Sequence, residues 1–188
     1  MKKIIISLIF AFTINFLPAQ GTPPYMIEHT MYIYNYTKYA LYHGQVSTRN
    51  EANGCWPSAT GHLASWVMPI DDPSGLWWTE LRKFSGYTNI PLNNCLYFPN
   101  SSVTTGLTIL PYVTGGSLAP VAGTSTGWGG YLAEYGDVDG AVLGYIAVGY
   151  HYNEVASTPC YTYPWVHTDA FMTATSFYIG NDYYLVVT

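Results

Sequence analysis

Two residues of the segment His167-Thr168-Asp169 could act together as a general base and the acid that orients it. Ser58, Ser74 and Ser117 lie in turn-rich segments and could supply a nucleophilic hydroxyl to such a pair. None of them stands in the Gly-x-Ser-x-Gly turn that many hydrolases use, and spacing alone does not fix a catalytic triad. The sequence therefore keeps a hydrolase as an alternative and favours a chain without catalytic residues.

Cys55 is a second candidate nucleophile, because it stands in the segment Gly54-Cys55-Trp56. This segment resembles the surroundings of the nucleophilic cysteine in papain-like proteases, and the resemblance implies that a histidine such as His62 would act as the base. In that family the cysteine sits on a helix, whereas here Gly54 and Pro57 bracket it and disfavour one. The sequence therefore favours a structural role for Cys55.

The chain has three cysteines, Cys55, Cys95 and Cys160. In an oxidising compartment, the simplest interpretation of an odd count is one disulfide and one remaining thiol. Sequence leaves the three possible pairs open. We favour Cys55 with Cys95, because each lies in a polar, turn-rich segment that a bridge could hold together.

The spacing of the acidic and imidazole side chains does not predict a metal site. The five histidines show neither His-x-His nor His-x-x-x-His spacing. Asp137, Asp139 and Glu134 could offer oxygen ligands to calcium, but the glycines that flank the two aspartates favour an ordinary hairpin turn. We expect no metal and no cofactor.

Tyrosine is the most unusual residue type in the chain, with 19 copies. Such rings can stack on sugars, rest at a lipid interface, anchor a protein partner, or simply hold a sheet together through cross-strand packing. One group of tyrosines comprises Tyr25, Tyr32, Tyr34, Tyr36, Tyr39 and Tyr42. From a second, later group that also includes Tyr145, we select as candidate ligand-binding residues Tyr150, Tyr152, Tyr161, Tyr163 and Trp165.

The first 20 residues have the features of a signal peptide. Lys2 and Lys3 precede an apolar stretch from Ile4 to Phe16, and Pro18-Ala19-Gln20 follows with a small residue at the expected cleavage point. The stretch is too short to span a bilayer. We expect residues 1–20 to be removed after Ala19 or Gln20, leaving residues 21–188 as a single domain that is secreted, periplasmic or on the cell surface.

The mature chain is acidic and carries few charges. It would keep four basic residues against eleven acidic ones, a net charge of about −7. Phosphate backbones would be repelled, so the composition excludes nucleic acid as a partner.

Period-two alternation dominates the mature chain. Residues 27–36 alternate apolar and polar side chains, and the turn residues that follow predict a hairpin with the strand over residues 39–46. Hairpin turns are also predicted at Gly136–Gly140 and Gly180–Asp182. Further strands are predicted over residues 62–68, 103–113, 130–135, 141–152, 171–179 and 183–187.

These elements predict an all-β, single-domain antiparallel sandwich with at most one short helix. Residues 76–84 fit a helix capped by Ser74 and fit a strand nearly as well. Residues 91–99 and 115–130 are rich in turn formers and are expected to be loops. A small outer-membrane barrel is the alternative, although the strands over 103–113 and 141–152 are apolar on both faces, which favours the sandwich over a water-filled barrel.

One hairpin resembles a known family. The segment Thr126–Ala133, the turn Gly136–Gly140 and the segment Val142–Asn153 are similar to the central hairpin of actinoporin-like pore-forming toxins. The resemblance implies a β-sandwich with an aromatic-rich site for lipid headgroups, which would place Tyr150 and Tyr152 near that site.

The sequence as a whole favours an exported, non-catalytic binding module that uses surface aromatic rings to bind a glycan or a protein at or outside the cell surface. A lipid-binding, lytic protein of the actinoporin-like type is the first alternative, with lipid headgroups as its partner. A hydrolase that uses His167 and Asp169 is the second.

Overall fold

The computed structural model describes residues 30–50, 53–82, 92–100, 107–109, 127–153, 158–180 and 182–188. The predicted signal peptide, residues 1–20, lies outside them. In these ranges the chain forms β-strands and no α-helix, and no helix there has the length and apolarity that a membrane crossing requires. The strands are β1 (Thr30–Asn35), β2 (Ala40–Arg49), β3 (Ser58–Leu63), β4 (Trp78–Arg82), β5 (Leu92–Phe98), β6 (Leu107–Ile109), β7 (Gly127–Gly136), β8 (Val142–Asn153), β9 (Thr158–Thr162), β10 (Val166–Thr168), β11 (Thr173–Ile179) and β12 (Asp182–Val187).

Two sheets pack against each other, which confirms the predicted all-β sandwich. The five-stranded sheet has the order β10-β11-β12-β1-β4, and the seven-stranded sheet has the order β6-β5-β3-β2-β7-β8-β9. Neighbouring strands run antiparallel except β1 and β12, which pair in parallel. β1 and β12 come from opposite ends of the described chain, so no hairpin turn requires them to run antiparallel.

Both turns that the sequence marked with glycine form hairpins. β7 and β8 are joined through residues 137–141, where Gly140 has a φ of 95°. β11 and β12 are joined at Gly180, which has a φ of 60°. Positive φ costs glycine nothing, so these turns could be predicted from local sequence.

The predicted hairpin between residues 27–36 and 39–46 is wrong. β1 pairs with β12 and β4, whereas β2 lies in the other sheet between β3 and β7. The chain crosses between the sheets after Asn35, whose side chain is fully buried. Its Nδ2 donates to the carbonyl oxygens of Tyr39 (2.7 Å), Val67 (3.2 Å) and Met68 (3.0 Å). These bonds hold the crossover against the loop that follows β3.

Other boundaries also differ from the predictions. Residues 76–82, the described part of the segment 76–84, contain strand β4 and no helix, so the strand interpretation holds there. The predicted loop over 91–99 contains strand β5. The strand predicted over 62–68 begins at Ser58 and ends at Leu63. The prolines and asparagines in the segment 91–99 predicted a loop. It forms a strand because β3 and β6 pair with β5 on its two sides. The predicted strand 103–113 and loop 115–130 lie largely outside the described residues; the described parts are β6 and the start of β7.

The core lies between the sheets and follows the alternation of the strands. β1 contributes Met31 and Ile33, and β12 contributes Tyr183, Leu185 and Val187, all with no exposed surface. Tyr131 of β7 lies in the same cluster from the opposite sheet. Burial raises the pKa of the phenols of Tyr131 and Tyr183, so both are neutral at physiological pH.

Candidate functional site

Aromatic side chains cover the outer side of the five-stranded sheet. Alternation in β1 turns Met31 and Ile33 into the core, so Tyr32 and Tyr34 point outward. Neighbouring strands and the residues next to them add rings on the same side. We call the following set the aromatic face: Tyr32, Tyr34, Tyr36, Trp77, Trp78, Phe177 and Tyr184.

Strand register brings these rings together across three neighbouring strands. Tyr32 is opposite Tyr184 of β12, and their ring centroids are 5.0 Å apart with planes 21° from parallel. Tyr184 is in turn opposite Phe177 of β11, with centroids 5.5 Å apart and planes 8° from parallel. Rings in this arrangement stack on one another, so much of each aromatic surface faces a neighbouring ring.

The end of the aromatic face near β4 is more open. The Trp77 ring is tilted by 46° to the Tyr36 ring, with centroids 5.3 Å apart. It is tilted by 41° to the Tyr34 ring, with centroids 6.1 Å apart. Tyr36 and Trp78 are 45% and 43% exposed, well above the half-buried tyrosines at the centre of the face. Tilted and exposed rings offer their surfaces to a ligand, so this end is the part best suited to stacking on one.

Burial and nearby charges raise the pKa of two tyrosines of the aromatic face, Tyr34 and Tyr184. Burial, then the phenols of Tyr32 and Tyr36 and the carboxylate of Glu80, raise the pKa of Tyr34 above its usual 10.0. Tyr184 has a raised pKa from burial first and then from Asp182 and nearby phenols. Tyr34 and Tyr184 therefore present neutral hydroxyl groups that can donate and accept hydrogen bonds.

The residues selected from the sequence lie elsewhere. Trp165 is only 8% exposed and belongs to the core, and the Tyr150 ring packs edge-on against it at 5.3 Å. Tyr163 is half-buried, and its backbone N–H donates to the Gly149 carbonyl at 2.7 Å. The side chains of Tyr152 and Tyr161 lie outside the described ones. The structure thus brings Tyr150 and Trp165 together at the edge of the interior.

The sequence did contain a signal for the aromatic face. Tyr32, Tyr34 and Tyr36 share the polar phase of an alternation whose apolar phase is Met31 and Ile33, which places the rings on the outer side of a strand. The strand that completes the face, β12, could not be assigned to it, because β12 is far away in sequence. Sequence reasoning therefore found the tyrosines and missed the surface that they form.

The pair His167 and Asp169 is part of a structural network. The Asp169 Oδ2 atom lies 3.6 Å from His167 Nε2 and accepts a hydrogen bond from the Tyr135 hydroxyl at 2.5 Å. Its Oδ1 atom accepts from the backbone N–H groups of Phe171 (2.8 Å) and Met172 (3.0 Å). Burial opposes the charge on Asp169, but these hydrogen bonds outweigh it and lower the pKa of the carboxyl group. The carboxylate is thus engaged in holding the turn before β11.

We expect Asp169→Asn to lower the free energy of unfolding by about 1–2 kcal/mol at pH 7, because charge-assisted hydrogen bonds are replaced by weaker ones. The folded pKa is depressed, so the carboxylate stabilises fully above the unfolded value near 3.8 and loses its contribution as the pH falls through the folded value. Urea unfolding at pH 7 and pH 3 measures both effects. Tyr135→Phe is the matched partner variant, and equal losses for Asp169→Asn at the two pH values would contradict the expectation.

Other candidates for chemistry have structural roles or form no cluster. The Asp139 carboxylate accepts from the Ala141 N–H at 3.3 Å, within the hairpin turn that the glycines predicted. In the described part of the chain, no three His, Cys, Asp or Glu side chains are placed to hold a metal ion. Cys55 is buried, and its pairing with Cys95 stays a prediction.

Comparisons with known proteins gave no match, whether to a protein-family model, a curated protein or a solved structure.

Proposed function

We propose that the chain is an exported, non-catalytic binding module whose aromatic face binds a glycan at or outside the cell surface. The observation that carries the proposal is the continuous group of aromatic rings on the outer side of the five-stranded sheet. Sugars present apolar C–H faces that stack on such rings, and their hydroxyl groups pair with phenol hydroxyls. Tyrosine and tryptophan supply this contact area at a small cost in side-chain entropy.

The shape of the aromatic face supports an extended glycan over a single sugar. The rings lie on or beside β4, β1, β12 and β11, and the three intervals between these strands span roughly 14 Å. A sheet surface of that width is open and cannot enclose a small ligand as a pocket does. A polysaccharide chain lying across it would contact several rings at once.

We expect the double variant Tyr36→Ala, Trp78→Ala to be retained at least about tenfold less than the wild type on the insoluble polysaccharide that the wild type binds. Exposed aromatic anchors dominate binding energy, and this variant removes two of them. Pull-down with cellulose, chitin, xylan and mannan measures it. Trp66→Ala is the matched control, because Trp66 is also exposed, at 47%, and is not one of the rings of the aromatic face. Equal retention of the double variant and the control would overturn the assignment to this face.

Three further results would redirect the proposal. Dye leakage from liposomes without polysaccharide retention would support the lipid-binding alternative that the hairpin resemblance implies. Selective capture of a protein partner that depends on Tyr36 and Trp78 would replace the glycan with a protein. Turnover that His167→Ala abolishes would favour a hydrolase, although the hydrogen bonds that engage Asp169 favour its structural role.

The proposal includes export and a disulfide between Cys55 and Cys95. Cys95 lies on β5, next to the β3 strand that follows Cys55, and Cys160 lies on β9 of the same sheet.

A further inference from the structure

A shallow depression that is open to solvent lies on the outer side of the seven-stranded sheet, away from the aromatic face. It is a cleft of about 270 Å³, and its lining includes His43, Gln45, His62, Leu132, Glu134 and Tyr145. We call it the His43 cleft. Its residues come from β2, β3, β7 and β8, so four paired strands fix its shape.

An irregularity in β2 builds one wall of the His43 cleft. Tyr42 is opposite Glu134 and Gln45 is opposite Leu132, so β2 holds one more residue than β7 between these pairs. His43 lies within this bulge and has a φ of 49°, a left-handed conformation that side chains other than glycine rarely adopt. Bulges and backbone strain of this kind are concentrated at functional sites, where they redirect a side chain.

The polar groups of the His43 cleft converge from different strands. His43 Nδ1 lies 2.9 Å from Glu134 Oε2, and both side chains are exposed to solvent. Gln45 is opposite His62 across β2 and β3, which adds an amide and a second imidazole. Together these side chains offer both hydrogen-bond donors and acceptors.

An aromatic ring completes the His43 cleft. Tyr145 is opposite Glu134 across β7 and β8 and is 64% exposed, the most exposed of the large apolar side chains described. Its ring contacts His167, with centroids 6.2 Å apart, which limits how far it can swing. The Glu134 carboxylate disfavours an anionic ligand, whereas mixed donors and acceptors beside a ring suit a neutral polyol.

We propose that the His43 cleft binds one terminal sugar residue of a glycan, with Gln45, His62 and Glu134 pairing with its hydroxyl groups and Tyr145 stacking on its ring. The cleft is slightly smaller than the roughly 300 Å³ at which drug-sized ligand pockets begin, so it suits a single ring. This site is independent of the aromatic face, since it lies on the other sheet. The module would then bind the end of a glycan chain in the His43 cleft and an extended stretch of glycan on the aromatic face.

Titration with free glucose, galactose, mannose and N-acetylglucosamine tests the proposal, monitored by amide NMR shifts of the full-length mature chain. We expect at least one sugar to bind with millimolar affinity and to shift the amide signals of Gln45, His62 and Glu134. Gln45→Ala and His62→Ala should each weaken binding by about fivefold or more, as loss of a ligand hydrogen bond does.

Two comparisons make the assignment to the His43 cleft specific. Tyr145→Ala removes the stacking ring and should weaken binding by about fivefold or more. Trp66→Ala removes an exposed ring outside both surfaces and should leave monosaccharide binding unchanged. Absence of binding by all four sugars, or shifts confined to residues outside the His43 cleft, would overturn the proposal. Both results come from the wild-type chain, so they hold even if a cleft variant fails to fold.

Discussion

Gly149→Ala is expected to lower the free energy of unfolding by more than about 4 kcal/mol, a large part of the stability of an ordinary domain. Gly149 lies in the middle of β8 with a φ of 74°, which an alanine adopts only under strain. An added Cβ would also collide with the Gly129 carbonyl oxygen of β7 and lie 3.0 Å from the Tyr183 hydroxyl. The sheet holds that carbonyl in place, so it cannot retreat.

Gly180→Ala is the matched control for this prediction. Gly180 has a φ of 60°, but no atom lies within 4 Å of where its Cβ would stand. The variant therefore suffers backbone strain without a collision and should lose only about 1–2 kcal/mol. Urea unfolding of both variants measures the difference. Equal losses would show that φ alone, and not the close approach of β7 and β8, determines the requirement for glycine at position 149.

Asn35→Ala should have the second-largest effect, a loss of about 3–5 kcal/mol. The Asn35 Oδ1 atom accepts from the backbone N–H of Thr37 at 3.1 Å and from its hydroxyl at 2.7 Å, while Nδ2 donates to three carbonyl oxygens. Alanine removes all of these bonds from a fully buried position, and each buried group left without a partner costs about 1–3 kcal/mol.

Two variants make the Asn35 prediction specific. Asn35→Asp keeps the size of the side chain but turns an oxygen toward carbonyl oxygens, so we expect it to be at least as destabilising as alanine. Asn53→Ala removes an exposed bond of 3.1 Å from Nδ2 to the Trp56 carbonyl and should cost less than about 1 kcal/mol. Urea unfolding again provides the measurement. Equal stabilities of Asn35→Ala and Asn53→Ala would contradict the role assigned to Asn35.

Asn35 also links stability to the proposed binding face. Its Nδ2 bonds reach Val67 and Met68, in the loop that runs from β3 to β4 and carries Trp77. The Asn35 backbone N–H donates to the Trp77 carbonyl at 2.8 Å. Loosening this junction should therefore disturb the open end of the aromatic face before the rest of the sandwich.

Local patterns predicted the elements whose partners are adjacent in sequence. The β7–β8 and β11–β12 hairpins were predicted because glycine at positive φ marks their turns. The path after β1 could not be predicted in this way. Alternation in β1 and β2 is compatible with a hairpin and with a crossover between sheets, and the observed strand pairing shows the crossover.

Composition could predict that some aromatic rings lie on the surface, but it could not predict where the aromatic face lies. The excess of tyrosine pointed to rings outside the core, and the outer side of the five-stranded sheet carries them. Yet the interior buries four large rings, those of Tyr131, Tyr135, Tyr183 and Trp165. Composition cannot predict which rings are buried, because burial depends on which face of each strand meets the opposite sheet.

The parallel pairing of β1 with β12 has a consequence for the order of events during synthesis. β1 emerges early, but one of its two partners is the segment Asp182–Val187. Until that segment has been made, Met31 and Ile33 lack one of the two strands beside them, and Tyr32 has no Tyr184 to stack on. β1 can therefore complete its pairing, and Tyr32 its stacking, only after residues 182–187 have been made.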